Sequence, residues 1–229
     1  MKIKGLQKLT LLDYPEKMAC TVFLAGCNFR CPFCHNASLV TNIDDDYISE
    51  EEFFSFLNKR KGILNGVCIT GGEPTLYPDL EDFIRRIKEM GYLVKLDTNG
   101  YNPDILIDLV NKGLIDYVAM DIKNSKEKYA VTAGLPSLDI TRIEKSVQFL
   151  LSGAVPYEFR TTVVKELHNE EDMKSISHWI ENADRYFLQS FQDSGDLIEN
   201  GYSGYDKDYM QYLLNITKDG LTKANLRGV

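Results

Sequence analysis

Long apolar runs are missing from this 229-residue sequence. The longest charge-free apolar stretch, MACTVFLAGCNF at 18–29, is too short to span a bilayer at helical rise, and the opening MKIKGLQKLT lacks the apolar region of a signal peptide. A cytoplasmic protein without a membrane partner is expected. Positive charge is also scarce. Lysines and arginines number 26 against 34 acids, for a net charge of −8 and a pI near 5.0. No basic stripe can neutralise a phosphate backbone, which argues against a nucleic-acid partner. Low-complexity tracts, residue-level repeats and a Gly/Pro/Ser linker are absent too. With 44% apolar and 26% charged residues, the composition is that of an ordinary globular chain. One domain over 1–229 is expected, with its core at about 18–192 and a helix and tail at 203–229. Cysteines number five, an odd count, and three of them are too closely spaced for a conventional disulfide framework. Metal ligation in a reducing compartment fits them better.

What is present is a regular alternation. Apolar runs TVFLAG (21–26), GVCIT (66–70), YLVKLD (92–97), YVAMDI (117–122), YEFRTTVV (157–164) and RYFLQSF (185–191) are separated by amphipathic segments. Repeated β-α units around a parallel sheet give this pattern. Ser49 with Glu52 forms a capping-box signature ahead of Phe53, Phe54 and Leu57. Further apolar helix faces lie at 78–91, 103–113, 141–153 and 170–182, three of them closed by Gly91, Gly113 and Gly153, and DKDYMQYLLNITKDG supplies one more helix. The fold class is therefore α/β. Six units instead of eight imply a partial (β/α)6 TIM-like barrel with a parallel sheet, and a doubly wound open sheet is the alternative that periodicity leaves open. Either places ligands at the C-terminal ends of the strands. The cysteines follow the first run, GGEP (71–74) the second, DTNG (97–100) the third, and DIK (121–123) ends the fourth.

GCNFRCPFCHN holds Cys27, Cys31 and Cys34 in a C-x3-C-x2-C arrangement with no second cysteine pair elsewhere. A structural zinc site usually takes four ligands as two short pairs, and His35 completes such a site on paper. Cys20 and Cys68 read as buried strand residues. An iron-sulfur cube normally takes one cysteine per iron, so three thiolates leave one iron open as a reaction site.

C-x3-C-x2-C after a first strand, followed by GGEP after the second, resembles the radical S-adenosylmethionine superfamily. Within it, LLDYPEKMACTVFLAGCNFRCPFCHN with DTNG and a strand-four Asp-x-Lys is most similar to the activating enzymes of glycyl radical enzymes. Particularly close are the anaerobic ribonucleoside-triphosphate reductase activating proteins, and the pyruvate formate-lyase activating enzyme is related. The sequence departs from many relatives at Glu16, where they have a glycine, and it has no cysteine-rich insertion for a second cluster.

The resemblance implies that Cys27, Cys31 and Cys34 hold a 4Fe-4S cluster whose open iron binds S-adenosylmethionine. It implies roles toward that cofactor for Phe33 near the adenine, Asn36 near the nucleoside, Gly71 and Gly72 in a backbone approach, and Glu73 as acceptor for the methionine ammonium, with Pro74 fixing the turn. Thr98 and Asn99 fall near ribose and methionine, Lys123 offers an ammonium to the methionine carboxylate, and Arg160 faces the cofactor. Gln192 or Gln189 stands where relatives carry a histidine. Asp97, Thr98 and Asp121 match positions that hold a monovalent cation in the pyruvate formate-lyase type. The implied activity is reductive cleavage of S-adenosylmethionine to a 5′-deoxyadenosyl radical, which takes a hydrogen from a glycine of a partner enzyme of the anaerobic ribonucleotide reductase type. A flavodoxin- or ferredoxin-type protein supplies the electron. Two other readings compete: a radical enzyme acting on a small molecule or ribosomal peptide, and a non-catalytic zinc-binding module.

Overall fold

The computed structural model describes residues 1–42 and 46–228. In chain order these form β1 (Ile3–Thr10), β2 (Ala19–Leu24), α1 (Ala37–Thr41), α2 (Glu50–Lys59), β3 (Gly66–Gly71), α3 (Leu80–Glu89), β4 (Leu93–Thr98) and α4 (Pro103–Asn111). Then follow β5 (Tyr117–Asp121), α5 (Tyr129–Thr132), α6 (Ile140–Leu151), β6 (Tyr157–Val163), α7 (Glu170–Trp179), β7 (Tyr186–Ser190), α8 (Lys207–Gly220) and β8 (Ala224–Arg227). The strands make one eight-stranded sheet in the order β1 to β8. β1 runs antiparallel to β2, and every later neighbour is parallel. This is a partial, open-sided α/β barrel, and β2 to β7 coincide with the six apolar runs.

The runs become strands because each alternates between two destinations. One set, including Val22, Ile69, Leu96, Val118, Phe159 and Leu188, is fully buried beneath the helices. The other set, including Thr21, Thr70, Lys95, Asp97, Asp121, Glu158 and Arg160, joins in hydrogen bonds and ion pairs inside the barrel. Local signals fix the helices. Ser49 Oγ accepts the Glu52 N–H at 3.1 Å, and Gly91, Gly113 and Gly153 follow α3, α4 and α6 with positive φ. A full capping box sits at Asn169 and Asp172, ahead of α7. No helix among the described residues is long and apolar enough to cross a membrane.

Two strands lie outside the six-unit expectation. β1 has a mostly half-exposed pattern and gives no apolar run. β8 has four residues, and it is tied inward by Arg227, whose guanidinium reaches across β7 to Glu158 Oε1 and Oε2 at 2.8 and 3.1 Å. The β1–β2 loop closes the barrel floor. Asp13 Oδ2 accepts the Thr21 hydroxyl proton at 2.6 Å, and buried Tyr14 packs against Tyr117. In that loop Glu16 keeps a φ of 61°, the left-handed conformation a glycine adopts without cost.

Candidate active site at the C-terminal mouth of the barrel

Cys27, Cys31 and Cys34 face a single cavity at the strand ends. Their loop leaves β2 at Gly26 and is held from several sides. Cys34 N–H donates to the Cys31 carbonyl at 3.0 Å, and Arg30 folds its guanidinium back onto the carbonyls of Cys27 and Phe29. All five cysteines are free thiols, and Cys20 and Cys68 are fully buried in strands as expected. Burial pushes the Cys27 thiol up to about 12 and the Cys31 thiol up to about 11. Metal ligation must therefore displace protons.

GGEP packs directly on this loop. The Gly72 N–H donates to the Leu24 carbonyl and the Glu73 N–H to the Gly26 carbonyl, both at 2.8 Å. A Cβ on Gly71 would lie 2.3 Å from the Leu24 oxygen, and one on Gly72 would lie 1.8 Å from the Gly26 oxygen. The two glycines line the cavity, and their missing side chains also admit the backbone of the cysteine loop itself.

Glu73 stands behind the lining of the cavity. Its side chain is fully buried and turned away from the cavity, where it gathers the DTNG turn. Oε2 accepts the Asn99 N–H at 2.6 Å, and Oε1 accepts from Thr75 N at 3.1 Å, the Thr75 hydroxyl at 2.5 Å and the Thr98 hydroxyl at 2.8 Å. The same two hydroxyl oxygens accept from Asn102 Nδ2 and Gly100 N, each at 3.1 Å. Burial raises this carboxyl, and the Asn99 N–H and the threonine donors oppose the rise. With four donors around it, three on Oε1 and one on Oε2, Glu73 is a hub that positions neighbours.

The opposite wall is charged. Asp97 and Asp121 end β4 and β5, and Arg160 of β6 bridges them, with Nη1 3.1 Å from Asp97 Oδ2 and Nε 3.0 Å from Asp121 Oδ1. Lys123 Nζ lies 2.9 Å from Asp121 Oδ2. Burial alone would raise both carboxyls, but the cations outweigh it and hold both below the usual range. Lys123 and Arg160, which burial alone would lower, are raised by their carboxylate partners. All four side chains line the cavity with Thr98 and Asn99. The expected alkali-ion ligands Asp97, Thr98 and Asp121 thus already have protein partners: Arg160 and Lys95, the Glu73 carboxylate, and Arg160 and Lys123, respectively.

Phe33, His35 and Asn36 also line the cavity. Phe33 is buried edge-on to Phe191 and Tyr202, and the His35 ring lies 5.1 Å from that of Phe191. Gln192 and Gln189 do not reach the cavity. They border a shallower recess beside it, where Gln192 Nε2 contacts the Gly228 carbonyl at 3.4 Å. Sequence reading missed Thr70, Thr162 and Ile198 in the lining, as well as Phe29 and Val40. The first two were available from strand alternation, two positions from Cys68 and Arg160. Ile198 was not, because it arrives on a loop at 191–206 that straps over the cysteine loop. There Ser194 Oγ donates to the His35 carbonyl, Asp196 Oδ2 accepts from Ser38 N and Oγ, and the Glu199 N–H donates to the Pro32 carbonyl.

Among the described residues, no three His, Cys, Asp or Glu side chains gather around one point as a single-ion site requires. The three thiols face a common space without converging on one centre, which suits a polynuclear cluster taking one thiolate per iron and does not suit zinc with His35. An open parallel barrel carrying such a thiol triad at its mouth defines a cluster-dependent enzyme class. The Radical SAM superfamily matches residues 21–180, and the chain belongs to that superfamily. The family implies a 4Fe-4S cluster and S-adenosylmethionine. A protein of Methanocaldococcus jannaschii named "Putative glycyl-radical enzyme activating enzyme MJ1227" is 35% identical over 196 residues, spanning 83% of this chain and 80% of that one. In fold, the chain is similar to a domain of pyruvate-formate lyase-activating enzyme from Bacteroides vulgatus, with a TM-score of 0.58, 20% identity, and 72% and 99% of the two chains covered. It is also similar to Streptococcus suis SuiB bound to precursor peptide SuiA, with a TM-score of 0.70, 18% identity, and 91% and 48% covered.

Proposed function

We propose that this radical S-adenosylmethionine enzyme is an activase that installs a glycyl radical on a partner enzyme of the anaerobic ribonucleotide reductase type. The observation that carries this reading is the thiol triad of Cys27, Cys31 and Cys34 opposite the cationic pair Lys123 and Arg160 across one open-sided cavity. The relative from Methanocaldococcus jannaschii, similar over most of both chains, supports the activase assignment. When bound, the cluster supplies one-electron reductive cleavage of S-adenosylmethionine to methionine and a 5′-deoxyadenosyl radical, which removes a hydrogen atom from the glycine Cα.

The chain's own residues bind, orient and shield. Cys27, Cys31 and Cys34 hold the cluster as thiolates. Lys123 offers its ammonium to the methionine carboxylate, and the Gly71–Gly72 backbone borders the same space. Phe33, packed among Phe191 and Tyr202, excludes water on the nucleoside side, with Asn36 at the rim. Thr98 and Asn99 are fixed by Glu73, so the floor beneath the cofactor does not reorganise on binding. A glycine suits the open side of the barrel, because a backbone without a side chain can enter where a bulkier residue cannot. The electron donor is a flavodoxin- or ferredoxin-type protein.

The test uses anaerobic protein reconstituted with iron and sulfide, reduced with dithionite and given S-adenosylmethionine, with Cys31→Ala as control. 5′-Deoxyadenosine from the native protein alone, followed by a glycyl doublet in the electron paramagnetic resonance spectrum of an added glycyl radical enzyme, is the expected result. Deoxyadenosine without a glycyl signal on any such partner removes the activase assignment in favour of a small-molecule or peptide substrate. A colourless zinc protein forming no product removes the radical chemistry altogether.

A further inference from the structure

Lys95 lies in the middle of β4 with its side chain 1% exposed, inside the barrel directly beneath the cavity. A buried lysine is costly unless paired, and this one is paired with Asp97 Oδ1, with Cys68 Sγ 3.8 Å from its ammonium. Burial alone would lower the lysine, and Asp97 raises it above its ordinary value, so the ammonium is kept charged.

The neighbouring carboxylates are fully engaged. Asp97 Oδ1 meets Lys95 and, at 3.6 Å, the Cys68 thiol; Asp97 Oδ2 meets Arg160 and the Thr70 hydroxyl at 3.3 Å. Asp121 Oδ1 meets Arg160 through Nε and Nη2, and Oδ2 meets Lys123. Each of the four oxygens of Asp97 and Asp121 thus has a donor from the protein. A metal ion entering between the strand ends would have to displace a resident cation.

We propose that the Lys95 ammonium, acting with the Arg160 guanidinium, is a built-in counter-ion that fixes Asp97 and Asp121 and so assembles the floor of the cavity without an alkali metal ion. Lys95 is a positioning residue in this scheme. It holds Asp97 in the one orientation from which Asp97 aims Arg160 into the cavity. The inference rests on the cavity to which the preceding section assigns S-adenosylmethionine, but it concerns ion requirement and can be tested without that cofactor.

The experiment measures thermal unfolding of the native full-length chain, free of cluster, at constant ionic strength in sodium, potassium or N-methylglucammonium chloride, and repeats it for Lys95→Ala and Lys95→Met. The native protein is expected to melt at one temperature in all three salts. Lys95→Ala, which opens both a charge vacancy and a space, is expected to melt lower in N-methylglucammonium and to recover by several degrees in a saturable way as sodium or potassium is added. Lys95→Met fills the space and is expected to melt lower without such recovery. Saturable stabilisation of the native protein by either alkali ion would overturn the proposal, and this arm does not depend on any variant folding. A Lys95→Ala protein that folds and is indifferent to all three cations would also overturn it, by reducing Lys95 to packing. The same salts are then used in calorimetric titration of reconstituted native protein with S-adenosylmethionine. Equal affinity in all three supports the inference, and tighter binding only with an alkali ion opposes it. No binding in any salt would be the failure of the cofactor assignment, leaving the melting result to decide the ion requirement.

Discussion

Asn99 reaches from the end of β4 to the cysteine loop, donating from Nδ2 to Asn28 Oδ1 at 2.8 Å, one residue from Cys27. The same amide nitrogen lies 3.9 Å from Cys27 Sγ, and its Oδ1 accepts the Tyr101 N–H at 3.0 Å. Two loops far apart in sequence are thereby locked together at the first thiol. Alanine at Asn28 is expected to cost about 1 kcal/mol, and alanine at Asn99 more, because Asn99 also holds its own turn. A double-mutant cycle by urea unfolding checks the pair; coupling near zero would show the contact to be incidental. Both variants are expected to retain less iron after reconstitution.

Glu73→Gln is the sharper test of the GGEP loop. Its amide presents a donor to a ring of donors, so one of the Thr75, Thr98 or Asn99 bonds must break inside a closed site. The expected loss is about 2–3 kcal/mol in unfolding free energy, together with weaker S-adenosylmethionine binding through displacement of Thr98 and Asn99. A glutamate that contacted the ligand directly would instead lose affinity with stability unchanged.

His168 gives the fold a pH dependence. Its Nδ1 accepts the Val164 N–H at 3.1 Å, and its Nε2 lies 2.8 Å from the Lys123 carbonyl, to which it donates in that tautomer. Burial holds the imidazole below its ordinary 6.5. Above that value both folded and unfolded chains are neutral at this residue. As pH falls below it, the unfolded chain takes up a proton that the folded chain resists, so stability is lost on the way down to the folded pKa. Melting temperatures are expected to fall as the pH drops below 6.5, and to fall less steeply in His168→Gln.

Arg227→Met should release β8. It removes the two-bond contact to Glu158 and leaves that carboxylate, 1% exposed, with the Tyr117 hydroxyl at 3.2 Å as its remaining side-chain hydrogen bond among the described residues. Since the arginine is itself part-exposed, a loss of about 2 kcal/mol is expected, below that of a fully buried pair. Hydrogen exchange reads it directly: amides of 224–227 lose protection while those of β3 and β4 keep theirs.

Much of this architecture was written locally. Strands β2 to β7 are apolar runs because parallel strands are buried under helices, and Ser49, Gly91, Gly113 and Gly153 mark helix ends through caps that depend only on neighbouring residues. β1 escaped because few of its residues are buried, and β8 because four residues carry no period. In the site, contiguous motifs were legible and long-range relations were not. Cys27, Cys31, Cys34, Gly71 and Gly72 do line one cavity. Glu73 carries a carboxylate suited to a ligand, and only the fold shows that four protein donors reach it first. Lys95 looked like a strand residue until its alternation partner Asp97 was seen beside Arg160. Asp196 and Ile198 gave no signal, since nothing near them in sequence states which loop they will lie over.

The strap at 191–206 also gives the protein a history. A ribosome delivers the chain from its N-terminus at roughly 5–20 residues per second, so Cys27, Cys31 and Cys34 emerge roughly 8 to 30 seconds before Ser194, Asp196 and Glu199, which later cover their loop. During synthesis the loop of the triad therefore lacks these strap contacts. Once the strap has formed, loading from that side requires its hydrogen bonds to His35, Ser38 and Pro32 to open again.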